Sequence, residues 1–342
     1  MNKNKPIVLI DPYPRTMDIL FSKKNFDYLD KNFTLIKVPK KNKKFFYNKY
    51  LPLAKYIIGQ PDLPTELISK QKILKGIFNV ESNFMDNMDY DYCFKKNIHI
   101  LATSPVFAQP VAEMALGLTL SIARSIHIAH NDFIKGNEKY GGEISQNNFL
   151  LKNKKFGLIG FGDLGRALTP LLSVFSNNIM AYDPWVPDLE IEKNNVQPCS
   201  LKKLLSSSDI IYVLATITAS NQGMINEKIF KNIKDKTTFV LMSRAAIINF
   251  DDFYKFLKQR KVFAAIDVFP QEPFPKSHKL RKLNNVIFSP HRAGALDSAF
   301  KEMGDLVIED LKLINKGLPP RLCKKAIKET VGHLRSKPVD IN

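Results

Sequence analysis

Cysteine is scarce, with three in 342 residues, at positions 93, 199 and 323. They are odd in number and far apart, which excludes a disulfide framework, matches no metal-ligand spacing and fits a reducing compartment. Acidic side chains are also in deficit, 33 against 51 Lys and Arg, for a formal net charge of +18. Such a balance raises nucleic acid as a partner, because basic surfaces attract phosphate backbones. The lysines, however, are scattered beside Asn, Ile and Phe, and the one dense run, PKKNKKFFYNKY at 39–50, reads as a solvated loop or helix face. No nucleic-acid partner is expected. Long apolar runs are missing too, since no stretch approaches the roughly 18–20 residues of a membrane span. The opening MNKNKPIVLIDPYP has neither the long apolar segment nor the small-residue cleavage site of a signal peptide. The expectation is a soluble cytoplasmic protein with no membrane contact. No G-x-S-x-G occurs, and no cysteine lies near a candidate base, so nucleophilic catalysis has no support.

What is present is ample core for two domains: 44% hydrophobic residues, including 24 Phe. Short apolar runs at 7–11, 33–38, 55–59, 72–78 and 97–101 alternate with amphipathic stretches, which predicts an α/β layer with a largely parallel sheet. PVAEMALGLTLSIARSIHIA at 110–129 reads as one long apolar helix, to be covered on more than one face between domains or subunits. Further strands are predicted around 156–160, 178–182, 209–214, 237–242, 262–267 and 286–288, matching a doubly wound sheet, with a last helix over about 295–317. The cofactor unit, 105–294, is thus inserted into a discontinuous substrate domain, 1–104 and 295–342, with a cleft for the substrate expected between them.

The motif carrying most information is FGLIGFGDLG at 156–165. A buried strand runs into a glycine turn and then a helix, the context of a dinucleotide pyrophosphate site. Gly160 permits the tight turn, Gly162 lets backbone approach the phosphates, and Gly165 lets helix and strand pack closely, with the phosphates on amides of the helix N-terminus. GxGxxG alone also occurs in plain glycine turns. Asp183, about twenty residues on at the end of NIMAYDP, is placed to accept both ribose hydroxyls, and PWVPDLE supplies no Arg or Lys for a 2′-phosphate. The cofactor expected is NAD; the bland alternative is an Asp that caps a turn before Pro184.

Three residues stand at or just past the ends of the last strands: Arg244 after TTFVLMS, Glu272 after AAIDVFPQ and His291 after NVIFSP. Ligands of open α/β sheets bind outside those carboxyl ends. Arg offers a fork matched to a carboxylate, His exchanges a proton near neutrality, and a Glu beside it favours the imidazolium and fixes the tautomer. Singly, each also reads as a surface ion pair, a solvated acid or a turn cap. His127 and His130 lie three apart on a helix without a partnering acid or thiol, and His99, His278 and His333 join no motif, so no metal is expected.

These motifs, with SPVFAQPVAEMALGLTLSIAR, ATITASNQGMIN, AAIDVFPQEPFP and SPHRAGA, resemble the D-isomer-specific 2-hydroxyacid dehydrogenase family over roughly 72–315. The resemblance implies two Rossmann-like domains, the NAD domain inserted into a flavodoxin-like substrate domain, and a homodimer built around the helix at 110–129. It places the family's catalytic residues on Arg244, Glu272 and His291. It places cofactor contacts on Gly160, Phe161, Gly162, Asp163, Leu164, Gly165, Asp183, Ala215, Met242, Ser243, Arg244, Asp267, His291 and Gly294. Substrate contacts fall on Val80, Glu81, Ser82, Arg244 and His291. Two departures stand out: Arg244-Ala245-Ala246 where the family usually has Arg-Gly-Gly, and Glu81 in the loop that offers glycine amides to the substrate carboxylate. Glu81 repels a second anion unless it points away or is paired. Tyr13, Arg15, Phe107 and Arg292 are further candidates for reaching the cleft.

The function expected is hydride transfer between NAD and a D-2-hydroxy acid, with His291 as acid and base, Glu272 stabilising it and Arg244 on the carboxylate. The alternative is a non-catalytic NAD(H)-sensing protein of the corepressor kind, which needs only the cofactor contacts.

Overall fold

The computed structural model describes residues 5–81, 83–141 and 148–334. The chain divides into two compact units, Met1–Val106 with Leu296–Asn342, and Phe107–Ala295.

In the first unit the predicted apolar runs form β1 (Ile7–Asp11), β2 (Thr34–Lys37), β3 (Ala54–Gly59), β4 (Gly76–Asn79) and β5 (His99–Ala102). All pair in parallel in the order β5-β4-β3-β1-β2. This is the flavodoxin-like order, whose direction reverses between β1 and β3. The Asp297–Asn315 helix packs on this unit, against Met17–Leu20 and Lys23–Asn32.

The second unit holds β6 (Phe156–Ile159), β7 (Ile179–Tyr182), β8 (Gln197–Pro198), β9 (Ile210–Val213), β10 (Thr238–Leu241), β11 (Phe263–Ile266) and β12 (Val286–Phe288). Their order, β12-β11-β10-β9-β6-β7-β8, is that of the doubly wound dinucleotide fold with one strand added at the far edge. Strands β6, β9 and β10 are buried throughout. That is why they read as unbroken apolar runs and not as alternations. A last strand, β13 (Lys324–Lys325), returns to the first unit and pairs antiparallel with β5.

Three expectations need correction. The sheets gain β8 and β13, two-residue edge pairings too short to leave a hydrophobic pattern. The apolar helix is two helices, Ala108–Ala123 and Ile126–Ile134, broken where Ser125 takes a left-handed conformation with φ 50°. Finally, Ser104–Ala123 is long and apolar enough by length and composition to cross a membrane, with mean hydropathy 1.4 over its window. Its Ala108–Ala123 part packs along the Asp163–Ser173 helix, burying Val111, Ala112, Ala115 and Ile122.

The floor beneath β9–β12 is aromatic. Asn249 caps the Phe250–Gln259 helix by accepting from the Asp251 and Asp252 amides, and the spacing of Phe253, Phe256 and Leu257 turns one apolar stripe inward. Phe230 stacks on Phe256 at 4.7 Å and on Phe253 at 5.5 Å between centroids, and Phe239 closes on Phe253 at 5.2 Å. Replacing Phe253, which has no exposed surface, by Ala is expected to cost about 3–5 kcal/mol through the cavity left behind. Urea unfolding followed by fluorescence checks this, and an unchanged midpoint would contradict the packing described.

Candidate active site

The glycine turn is built as its spacing requires. Gly160 has φ +98°, and a Cβ there would lie 2.4 Å from the Ala215 nitrogen, so the turn presses against the end of β9. A Cβ on Gly165 would meet the Gly160 carbonyl at 2.9 Å, whereas one on Gly162 would enter open space. That opening lies at the start of the Asp163–Ser173 helix, whose first amides have no intrahelical acceptor. Residues 160–165 therefore fit a dinucleotide pyrophosphate. The Phe161 ring is buried and its amide donates to Asp183 Oδ2 at 2.8 Å. Asp183 Oδ1 accepts from the Trp185 amide at 2.9 Å. The carboxylate thus ties the glycine turn to the end of β7, half-buried, and caps the turn that follows.

Because β10, β11 and β12 are adjacent and in register, with Leu241 beside Ile266 and Ile266 beside Phe288, the segments that follow them emerge side by side. His291 Nδ1 and Glu272 Oε2 are 2.6 Å apart, and Glu272 Oε1 accepts from the Phe269 amide at 2.9 Å. The pairing engages Nδ1 and orients the imidazole. Arg244 Nη1 donates to the Ser243 carbonyl at 2.8 Å. Burial raises the Glu272 pKa, but hydrogen bonds from His291 and the Phe269 amide and the charges of His291 and Arg244 together hold it below its usual value. Ala245 and Ala246 take a 3-10 turn over Ala245–Ile247 with neither at positive φ, so the departure from Arg-Gly-Gly needs no glycine here.

A second layer, unseen in the spacing, fixes the His291 turn. Asp267, 1% exposed, accepts on its carboxylate from Ser289 Oγ and from the amides of Arg292 at 3.0 Å and Ala293 at 3.3 Å. Its carbonyl accepts from the His291 amide at 2.8 Å. These bonds hold His291 at φ +53°, a left-handed conformation that costs a non-glycine residue about 1–3 kcal/mol. The Asp267 oxygens are engaged by this turn. The pairing of AAIDVFP with SPHRAGA was the available signal. Met242 and Ser243 are buried at the end of β10, and Gly294 is packed against Phe107, where a Cβ would come within 2.7 Å of the ring.

In the first unit the loop after β4 is tied by Asn79. Its Oδ1 accepts from the Glu81 amide at 2.9 Å and its Nδ2 donates to the Asn83 carbonyl at 2.8 Å. Val80 is fully buried. Glu81, 1% exposed, pairs with Arg15 at 3.2 Å, so the charge that stood out in the sequence is matched by a partner 66 residues away. Ser82 lies outside the described residues.

The lowered Glu272 pKa has a sign. The stability it contributes is complete above the ordinary value of 4.5 and is lost as pH falls through the lower folded value. Glu272→Gln is therefore expected to lessen acid destabilisation below about pH 4.5. Thermal melts of both proteins across pH 3–7 test this, and identical pH slopes would contradict it.

Comparison with known proteins gives the frame for this geometry. Residues 116–293 match the family model of the D-isomer specific 2-hydroxyacid dehydrogenase NAD binding domain. The chain is 31% identical over 271 residues to a glyoxylate reductase of Thermofilum pendens, covering 78% of this chain and 79% of that protein. It is 32% identical over 230 residues to a hydroxypyruvate reductase of Thermotoga maritima, covering 66% and 73% respectively. The crystal structure of a phosphoglycerate oxidoreductase from Rhizobium etli superposes with a TM-score of 0.86 at 40% identity, over 95% of this chain and all of that one. The chain belongs to the D-isomer specific 2-hydroxyacid dehydrogenases, with an NAD-binding domain of the Rossmann type.

Proposed function

We propose that this protein interconverts a D-2-hydroxy acid and its 2-oxo acid, using NAD in preference to NADP. The observation that carries the reading is the 2.6 Å contact between His291 and Glu272, at the carboxyl ends of strands whose neighbour bears Arg244. Bound nicotinamide supplies the hydride acceptor in one direction and the donor in the other. The arginine fork takes the substrate carboxylate and draws the 2-oxygen toward it. In oxidation, neutral His291 accepts the hydroxyl proton at Nε2 and Glu272 stabilises the resulting imidazolium; in reduction, the imidazolium returns that proton to the 2-oxygen. Gly160 to Gly165 would hold the pyrophosphate and Asp183 the adenosine ribose, where a 2′-phosphate would face a carboxylate. The Glu81 amide and carboxylate are engaged within their own unit, by Asn79 and Arg15.

We assign the protein to the cytoplasm, in keeping with three cysteines that form no disulfide. The partner expected is a second copy. Ile126, Phe133 and Ile134 on the Ile126–Ile134 helix are more than half exposed, an apolar surface suited to pairing about this region. Sedimentation velocity should give twice the chain mass, falling to one chain when Phe133 and Ile134 are both replaced by Asp. A wild-type monomer at micromolar concentration would remove the dimer.

The test of the chemistry is His291→Asn, because Asn tolerates the positive φ that this position holds. The variant should bind NADH and reduce 2-oxo acids about 10²–10⁴ times more slowly, the usual contribution of general acid–base catalysis. Turnover within about tenfold of wild type would sink the assignment. Tight NADH binding with no turnover of any oxo acid by the wild type would instead support a sensor.

A further inference from the structure

The Asp297–Asn315 helix of the first unit carries a carboxylate that the proposed chemistry does not use. Asp310 has no exposed surface and lies among the residues the helix buries, Val307, Leu311 and Ile314 included. Past the helix the chain reverses at Gly317, φ +76°, where the Gly317 amide donates to the Ile314 carbonyl at 3.0 Å and the Leu318 amide to the Leu313 carbonyl at 2.9 Å. After Pro319 and Pro320, three successive amides close on Asp310. Its Oδ1 accepts from Arg321 at 2.7 Å and Leu322 at 3.0 Å, and its Oδ2 from Leu322 at 3.1 Å and Cys323 at 2.7 Å. Directly beyond, Lys324 and Lys325 pair with Ala102 and Leu101 as β13, and the Ala326 amide donates to the Ile100 carbonyl at 2.9 Å.

Apolar burial does little to hold this segment down. Leu318, Leu322 and Ile327 are 50%, 46% and 57% exposed, and Pro320 and Cys323 are the side chains of 317–327 that are buried. The far end is anchored separately, by Val331 and Leu334 in the core of the first unit. A carboxylate withdrawn from water needs donors, and the segment needs an attachment; the amides of Arg321, Leu322 and Cys323 meet both needs at one point. We propose that residues 317–327 form a strap with Asp310 as its latch. The strap opens as one unit while the rest of the first sheet stays folded, and the latch sets how often it opens. Closed, it covers the edge of β5. Open, it leaves the His99–Ala102 edge with unpaired backbone groups, the template on which a strand of a second copy can add.

Asp310→Asn keeps the shape and one acceptor oxygen, but its amide nitrogen donates toward backbone amides that also donate. Losing a charged acceptor and leaving a buried donor unmatched should favour opening by about 10–100-fold. Residue-resolved hydrogen exchange on the full chain reads this. The amides of residues 321–323 lose their acceptor directly, so the informative one is Ala326, which is bonded to Ile100 and not to Asp310. Its exchange should quicken by about tenfold or more in the variant. Cys93, buried on the Tyr90–Lys95 helix of the same unit, should stay as unreactive toward N-ethylmaleimide as in wild type. An unchanged Ala326 rate would overturn the latch, and Cys93 labelling that rises in step with Ala326 exchange would overturn a strap that opens separately. If the variant does not fold, wild type decides: exchange at Ala326 should depend less steeply on urea than exchange at the protected amides of β4, and equal dependence would overturn the inference.

Discussion

Asp267 sits buried just past the end of β11, and hydrogen bonds from Ser289, Arg292 and Ala293 converge on its carboxylate while its carbonyl takes the His291 amide. A carboxylate removed from water must be satisfied in this way, and each donor here comes from one short turn. The same bonds therefore solvate the charge and hold His291 in a backbone conformation it would not choose alone. The His291–Glu272 contact depends on that turn, since a ring displaced by even an ångström loses a hydrogen bond of this length. Beneath it lies the stacked phenylalanine floor around Phe253, which fixes the adjacent strands from which Arg244, Glu272 and His291 emerge.

The two units use one device for different ends. In each, a parallel sheet brings loops together at its carboxyl edge, and in each a buried acid organises those loops: Asp267 in one, Glu81 in the other. Asp267 is satisfied mostly by amides and shapes a turn. Glu81 is satisfied by an amino-acid cation and so also sets the local charge.

The strands were readable because buried parallel strands leave compact apolar runs, and the glycine turn because each of its glycines answers a different steric demand at a fixed spacing. Arg244, Glu272 and His291 could be picked out because each follows an apolar run at the same end of one sheet. What escaped reading did so for physical reasons. The break at Ser125 interrupts no apolar pattern, since Ile126 and Ile128 continue it, though both lie exposed. The edge pairings β8 and β13 rest on backbone bonds that any residue can make. The Arg15–Glu81 pair joins loops 66 residues apart, and charge alone in a chain of +18 does not say which cation answers which acid.

In the proposed function His291, Glu272 and Arg244 bind and protonate the substrate while hydride passes between NAD and the D series of 2-hydroxy acids. Chiral chromatography of the glycerate formed from hydroxypyruvate and NADH tests it most directly. One equivalent of D-glycerate for each NADH consumed is the predicted result; L-glycerate, a racemate, or no glycerate from any preparation that binds NADH would contradict it.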